Sequence, residues 1–301
     1  MSVKSTFSKQ NVQKKWREWV FLFVILVLPV TQFVLMYLCV NVNSILLAFK
    51  RYDNPDFVWN GLNNFKDFFR TITTIPYRIR IKNSLILYLV GVFISTPIAI
   101  LISYVLWRKV WGYKFFQVVL FLPTIISAIV FVVLAKNYIN RVLPYVFHAP
   151  KDLLSNPATG FQTVVTYGIL IGFGAQIVMY LGSLSSVNES VVEYAKLDGM
   201  NFFQEFIYVA FPKMYGTLAT YLVVGVAGFF TNYAQLYSFF SWGAANEFQT
   251  LGYYYFAEVV NVGQETAYCS ASAAGVVFTL IALPATIGMR KLTYRLQPKE
   301  E

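Results

Sequence analysis

The most distinctive charged residues of this chain lie in one polar stretch, residues 186–214. Glu189 and Glu193 are one helical turn apart, and Asp198 comes directly before Gly199. Side chains four residues apart share one face of a helix. This pattern is typical of a surface that binds a partner through charge and hydrogen bonds.

Residues with catalytic or metal-binding chemistry are scarce. His148 is the only histidine, and Cys39 and Cys269 are the only cysteines, with no C-x-x-C spacing. These counts argue against a zinc site and against a Ser-His-Asp enzyme. No G-x-x-x-x-G-K-[ST] sequence occurs, so the chain has no P-loop of its own for ATP. We expect no metal, no cofactor and no catalysis in this chain.

The composition is that of a membrane protein. The 301 residues are 57% hydrophobic and 13% charged, whereas soluble domains are about 25% charged. The mean hydropathy of +0.56 exceeds what one soluble core would hide. We therefore predict an all-α, polytopic membrane protein.

Six apolar runs are each long enough to cross a bilayer, at about 20 residues per crossing. They are Trp19–Val40, Ser84–Leu106, Phe115–Ala135, Gln162–Leu184, Gly216–Phe240 and Tyr268–Met289. The first is long and has no small-x-small cleavage site, so we read it as a retained anchor rather than a signal peptide.

Basic residues set the expected orientation. Lys and Arg flank the apolar runs in residues 1–18, at Arg108–Lys109 and in residues 291–301. The positive-inside rule places both termini in the cytoplasm, with a permease domain over residues 19–290. Residues 41–83 also carry seven Lys and Arg and would lie outside, which conflicts with the rule. We attribute the net charge of +10 to this topology signal and not to nucleic-acid binding.

Residues 186–214 predict two short helices joined by a bend. Ser186 and Glu189 have capping-box spacing, and Gly199 can end the first helix in a left-handed conformation. Asn201, with Gln204 three residues later, predicts the start of a second helix, and Pro212 is expected to close the segment. Such a helix pair suits docking in the groove of a soluble partner.

This segment resembles the cytoplasmic loop of binding-protein-dependent ABC importer permeases. The family pattern is Glu-Ala-Ala, three residues, Gly, then hydrophobic residues and Leu-Pro. Here the chain reads Glu193-Tyr194-Ala195-Lys196-Leu197-Asp198-Gly199 and ends Phe211-Pro212. Tyr194 is the largest departure, because the family has alanine there.

Weaker segments follow in the family's order and resemble carbohydrate permeases of the maltose, multiple-sugar and glycerol-phosphate type. They are Gly61–Phe65, Asn83-Ser84, Phe121–Pro123 and Thr250–Tyr255. The resemblance implies a type I ABC importer permease fold with six transmembrane helices. It also implies a homologous second permease subunit, two ATPase subunits or domains that bind ATP and Mg²⁺, and an extracytoplasmic solute-binding protein. Glu189, Glu193, Ala195, Asp198, Gly199 and Pro212 would then form the ATPase-coupling site.

The fifth apolar run contains candidate solute-path residues. Phe229 and Tyr233 offer aromatic faces, and Asn232 and Gln235 offer neutral amides. This combination suits a sugar, although Asn and Gln also bridge packed membrane helices, which is the more common role.

Two other classes of function stay open at this stage. One is a stand-alone secondary transporter or channel for a small neutral solute, and the other is a membrane enzyme. The scarcity of ionisable residues inside the apolar runs argues against an ion-coupled carrier. The lack of a buried acid–base cluster argues against an enzyme.

Overall fold

The computed structural model describes residues 3–148, 150, 153–233, 235–261 and 265–298, and leaves out the side chains of residues 3–15 and 261. Within those residues, six helices are long and apolar enough to cross a membrane. These spans, numbered one to six, are Trp16–Leu47, Ile75–Trp107, Ala128–Val146, Gly160–Leu184, Phe202–Phe240 and Glu265–Arg295. The prediction of an all-α, six-helix membrane protein is confirmed.

The first third of the chain contains span one, a hairpin and span two. It is built from α1 (Val3–Gln32), a π-helical turn (Phe33–Cys39), α2 (Val40–Leu47), β1 (Lys50–Asp53), β2 (Asp56–Trp59), α3 (Asn63–Thr71), α4 (Ile75–Val90), a π-helical turn (Gly91–Ser95) and α5 (Thr96–Trp107). The strands pair antiparallel, with Lys50 opposite Trp59. Asn64 fixes the hairpin by donating to the carbonyls of Ala48 and Lys50, at 2.8 and 2.7 Å.

Spans three and four follow. The elements are α6 (Tyr113–Ile125), α7 (Ala128–Asn137), a π-helical turn (Tyr138–Val142), α8 (Leu143–Val146), α9 (Gly160–Gly172) and α10 (Gly174–Leu184). The continuous third run expected at Phe115–Ala135 is wrong, because the chain leaves the helix at Ile126 and Ser127. Pro123 removes a backbone donor from the last turn of α6, which favours this break.

The last part of the chain holds the polar segment and spans five and six. It comprises α11 (Glu189–Leu197), α12 (Phe202–Glu205), a π-helical turn (Phe206–Ala210), α13 (Phe211–Thr231), α14 (Leu236–Phe240), α15 (Leu251–Asn261) and α16 (Glu265–Arg295). The uninterrupted fifth run expected at Gly216–Phe240 is also wrong. The chain is extended at Asn232, and Gln235 adopts a left-handed φ of 57°.

Helix α1 begins at Val3 and α16 extends to Arg295, so helical structure continues into both predicted tails. Residues 1–2 and 299–301, parts of those tails, lie outside the described residues. None of the residues in the most apolar window of span one is buried. The packed core lies instead between the later spans.

Two buried clusters occupy opposite ends of the bundle. Where α5, α10 and α13 meet, Tyr104, Ile177 and Met214 are fully buried. At the other end of span two, Tyr77 packs with residues of α3, α15 and α16. Span two therefore joins both ends, and Arg80 and Arg108 are about 40 Å apart along it at 1.5 Å per residue.

Candidate functional site

The coupling segment, residues 186–214, forms a bent helix pair between spans four and five. Helix α11 begins two residues later than expected, because Asn188 and not Ser186 caps it. The Asn188 side chain accepts a hydrogen bond from the Ser190 N–H at 3.2 Å. The Ser186 hydroxyl instead donates to the Ser183 carbonyl at 2.7 Å.

Gly199 ends α11 as predicted. Its φ is +70°, the Met200 N–H donates to the Ala195 carbonyl at 3.0 Å, and the Gly199 N–H donates to the Lys196 carbonyl at 3.1 Å. This pair of bonds is a Schellman motif, which satisfies the last carbonyls of a helix and turns the chain.

The second helix also begins as predicted, with a complete capping box. The Asn201 side chain accepts from the Gln204 N–H at 2.9 Å, and the Gln204 side chain accepts from the Asn201 N–H at 2.9 Å. Pro212 does not close the segment. It occupies the first turn of α13, where a missing N–H is tolerated, so the second helix continues into span five.

Helix α11 turns most of its surface to solvent. Glu189, Glu193 and Asp198 are exposed, and Leu197 is 82% exposed. Ala195 is the residue of this helix that the fold buries, at 3%. A short helix with a small residue on its inner side and an exposed Leu and acidic residues outside suits docking against another protein.

The coupling segment is clamped to span two. The Glu205 carboxylate is almost fully buried and lies 3.5 Å from the Arg108 guanidinium, which also sits over the Phe202 ring at 5.3 Å. The Tyr104 hydroxyl donates to the Phe202 carbonyl at 2.9 Å, and its ring packs against Phe202 and Phe206. We call Tyr104, Arg108, Phe202, Glu205 and Phe206 the coupling clamp.

The sequence analysis missed this clamp. Its signal was Glu205, a lone acidic residue in an otherwise apolar part of the second helix. A carboxylate at such a position is buried only with a cationic partner, and Arg108 flanks the second apolar run. The clamp therefore ties the start of the second helix, which continues into span five, to the end of span two.

A polar cavity lies between spans two, three, four and five. It has a volume of about 550 Å³, and its polar lining includes Gln176, Asn232 and Gln235, with Tyr167 beside them. A neighbouring cavity of about 250 Å³ shares Gln176 and Asn232 and adds Phe229. The break in span five therefore lies at the wall of both cavities.

Several polar atoms at this cavity have no protein partner. Among the described residues, Gln176 Oε1, Gln235 Oε1 and the Tyr167 hydroxyl are buried without a hydrogen bond. A buried polar atom left unpaired costs free energy. These atoms are therefore well suited to bind a hydroxylated solute or water that enters the cavity. Gln176 and Tyr167 extend the predicted solute path, because only the fold brings them next to Asn232.

Tyr233 is placed away from the other predicted solute-path residues. Its ring stacks on Phe256 at 5.6 Å and lines a different, mainly apolar cavity of about 700 Å³ between α13, α15 and α16. Another cavity, of about 950 Å³ between spans three and four, is also apolar and contains none of the predicted solute-path residues. In the described part of the chain, no three His, Cys, Asp or Glu side chains converge as metal ligands would.

Membrane-spanning helices around a neutral polar cavity, with a helix pair projecting between spans four and five, define a membrane-embedded transport component. The chain belongs to the family of binding-protein-dependent transport system inner membrane components, whose family model matches residues 89–299. This confirms the resemblance found in the coupling segment.

Two curated relatives illustrate the match. The maltose/maltodextrin transport system permease protein MalF of Vibrio vulnificus is 26% identical over 191 residues, which is 61% of this chain and 35% of MalF. The chain thus spans about a third of the length of this relative. The multiple sugar-binding transport system permease protein MsmF of Streptococcus mutans is 25% identical over 255 residues, covering 81% of this chain and 84% of MsmF.

A solved structure confirms the fold. A chain from the crystal structure of a bacterial alginate ABC transporter, in complex with an alginate pentasaccharide-bound periplasmic protein, aligns with a TM-score of 0.75. The alignment covers 96% of this chain and 98% of that chain at 20% identity. The helix arrangement described above is therefore that of an ABC importer permease.

Proposed function

We propose that this chain is the permease subunit of an ATP-driven importer and forms half of the path for a carbohydrate or related solute. The observation that carries the proposal is the coupling segment. Its exposed helix α11 is joined through the Schellman turn at Gly199 and the coupling clamp to two membrane spans. A rigid, exposed lever of this kind transmits force from a soluble partner into the membrane.

The partner that fits α11 is an ATPase subunit that binds ATP and Mg²⁺. Glu189, Glu193 and Asp198 would meet it through charge and hydrogen bonds, since all three are exposed. Buried Ala195 would let α11 lie close to the bundle, and Gly199 would hold the bend. Pro212 would begin the helical lever of span five rather than contact the ATPase.

The other proposed partners are a homologous permease subunit and an extracytoplasmic solute-binding protein. A second subunit is supported by span one, whose most apolar window is unburied. A binding protein is supported by the family description. In the proposed orientation both termini and the coupling segment are cytoplasmic, so residues 1–18 and 291–301 flank a permease domain of residues 19–290.

A carbohydrate is the solute class that the cavity favours. Its unpaired groups are neutral amides and a hydroxyl, and Phe229 adds an aromatic face next to Asn232. Such groups bind sugar hydroxyls and C–H faces without a net charge. The names of the relatives MalF and MsmF, a maltose/maltodextrin and a multiple-sugar permease protein, point to the same class.

Purification of the intact complex from its native membrane tests the function. We expect ATPase subunits to copurify and ATP hydrolysis in nanodiscs to rise when the cognate binding protein and a matching sugar are added. The sugar panel would include maltodextrins, arabinooligosaccharides and alginate oligosaccharides. A chain that purifies without an ATPase, or Glu193→Cys labelling from the outer face, would contradict the proposal.

A further inference from the structure

The second anchored region lies at the end of span two opposite the coupling clamp. Residues 242–250, which we call the latch segment, have no helix or strand, yet Ala244, Phe248 and Thr250 are buried. Tyr253 braces the loop, because its hydroxyl donates to the Ser241 carbonyl at 2.7 Å and accepts from the Ala244 N–H at 3.3 Å. A loop closed on itself in this way moves as one unit.

Arg80 of span two holds the latch segment through side-chain amides. Its Nε donates to Gln249 Oε1 at 2.9 Å, and its Nη2 donates to Asn246 Oδ1 at 3.2 Å. The guanidinium lies 3.8 Å from the centre of the Tyr254 ring. Arg80 is only 8% exposed, and no carboxylate within the described part of the chain forms a salt bridge with it. Neutral groups thus bind a buried cation, a costly arrangement that indicates a specific role.

One turn further along, Asn83 and Ser84 hold the same segment by its backbone. The Asn83 amide donates to the carbonyls of Glu247 and Gln249, at 2.8 and 2.9 Å. The Ser84 hydroxyl accepts from the Leu251 N–H at 3.0 Å. These bonds fix the path of the latch segment relative to span two.

The far end of the latch segment is attached to the broken part of span five. The Thr250 hydroxyl donates to the Asn232 carbonyl at 2.9 Å. Gly252 packs so closely that a Cβ there would lie 2.5 Å from the Thr231 carbonyl oxygen. The Asn232 carbonyl is one that the helix break releases, so Thr250 takes the place of a helical donor.

Together these contacts form a continuous chain from Arg80 to the cavity wall at Asn232. We propose that Arg80 and Asn83 are positioning residues that set this wall through the latch segment. Because water can replace the neutral amides around Arg80, the contact between Arg80 and the latch segment can open and close.

The contacts from Arg80 through the latch segment to Asn232 are called the relay below. Alkylation of a single cysteine at the cavity wall tests this relay without any solute. The parent is the full complex in nanodiscs carrying Asn232→Cys, with Cys39 and Cys269 replaced by serine. The substitution keeps the carbonyl that Thr250 binds. Arg80→Ala removes two charge-assisted bonds and a ring contact, so we expect N-ethylmaleimide to react with the cysteine about tenfold faster. Arg80→Lys, which keeps the charge but not the planar fork, should give a smaller increase.

Arg78→Ala is the matched control, because Arg78 is exposed on the same helix. It should leave the alkylation rate unchanged. Thr250→Val keeps the side-chain shape but cuts the relay at its last bond. We expect Thr250→Val alone to increase the alkylation rate. Adding Arg80→Ala to Thr250→Val should then change the rate very little, because two substitutions that break the same relay are not additive.

A second readout uses the complex with Asn232 intact. Arg80→Ala should raise hydrolysis of MgATP in the absence of binding protein, whereas simple destabilisation would lower it. Equal alkylation rates in Arg80→Ala and Arg78→Ala complexes, or full additivity of Thr250→Val and Arg80→Ala, would overturn the relay. The alkylation test depends on neither ATP hydrolysis nor solute transport. It therefore reports on the relay even if the proposed transport function is wrong.

Discussion

Span two is held at its two ends by opposite kinds of chemistry. At the coupling end, an ion pair between Arg108 and the buried Glu205 is surrounded by aromatic rings. At the latch end, Arg80 is bound by the neutral side chains of Asn246, Gln249 and Tyr254. At one end opposite charges pair directly, and at the other the direct partners of the cation are neutral dipoles.

This difference determines how easily each end separates. Pulling this ion pair apart leaves the buried Glu205 carboxylate without its cationic partner, so the coupling clamp resists opening and transmits force. Separating an arginine from amides leaves groups that water readily binds, so the latch opens at lower cost. The strong contact lies near the proposed ATPase, and the more easily broken contact lies near the proposed binding protein. This arrangement fits a transporter in which ATP supplies force on one side of the membrane and the binding protein regulates the other side.

The largest expected effect comes from breaking the ion pair of the coupling clamp. Glu205→Ala leaves Arg108 beside a buried apolar surface, which we expect to destabilise the contact by about 2 kcal/mol. ATP hydrolysis should then continue with solute uptake reduced more than about tenfold. Uptake and hydrolysis measured on the same proteoliposomes give the ratio.

The exchanged pair Arg108→Glu with Glu205→Arg provides the control for this prediction. It restores opposite charges at the same positions and should recover part of the coupling. Normal uptake by Glu205→Ala would show that span two does not need the ion pair to follow the coupling segment.

Gly199→Val tests whether the bend between the two helices matters as much as the clamp. No atom within 4 Å would touch a Cβ at this position, so the cost is conformational and not steric. A valine at a φ of +70° costs about 1–2 kcal/mol. We expect a severalfold loss of uptake per ATP hydrolysed.

Gly199→Asn separates conformation from composition, because asparagine tolerates left-handed backbone. It should behave nearly as the parent does in the same assay. If the valine and asparagine variants were equally impaired, backbone conformation at this bend would not be what couples α11 to span five.

Local signals predicted the coupling segment well. The Asn201–Gln204 capping box and the left-handed Gly199 depend on neighbours within a few residues, so the sequence displays them. The Asn188 cap lay two residues from the predicted Ser186, because both side chains can accept from a helix N-terminus.

Long-range contacts could not be predicted in this way. The break at Asn232 is stabilised by Thr250 from beyond the end of span five, whereas hydropathy reports only composition. Gln176 lies within the predicted run Gln162–Leu184, but only the fold places it in a cavity with Asn232. Tyr233 lies just past the end of α13, so helical periodicity did not indicate its direction.

The smallest expected effect concerns a carboxylate near the latch. Burial raises the pKa of the Glu258 carboxyl above its ordinary value, although the Tyr254 hydroxyl and the positive charge of Arg80 both act to lower it. The folded protein therefore holds this proton more tightly than the unfolded chain does. The stabilising contribution of Glu258 is complete below the unfolded pKa of about 4.5 and is lost as the pH rises through the folded pKa.

Glu258→Gln removes this dependence. At pH 8 it should raise the midpoint of thermal unfolding slightly, by less than about 1 kcal/mol in stability, since the side chain is only partly buried. Below pH 4.5 parent and variant should unfold together, because the parent carboxyl is then neutral as well. Scanning fluorimetry of the detergent-solubilised complex at both pH values measures the difference. A destabilised variant at pH 8 would mean that the negative charge of Glu258 supports Arg80, and the latch would then be an ionic grip like the coupling clamp.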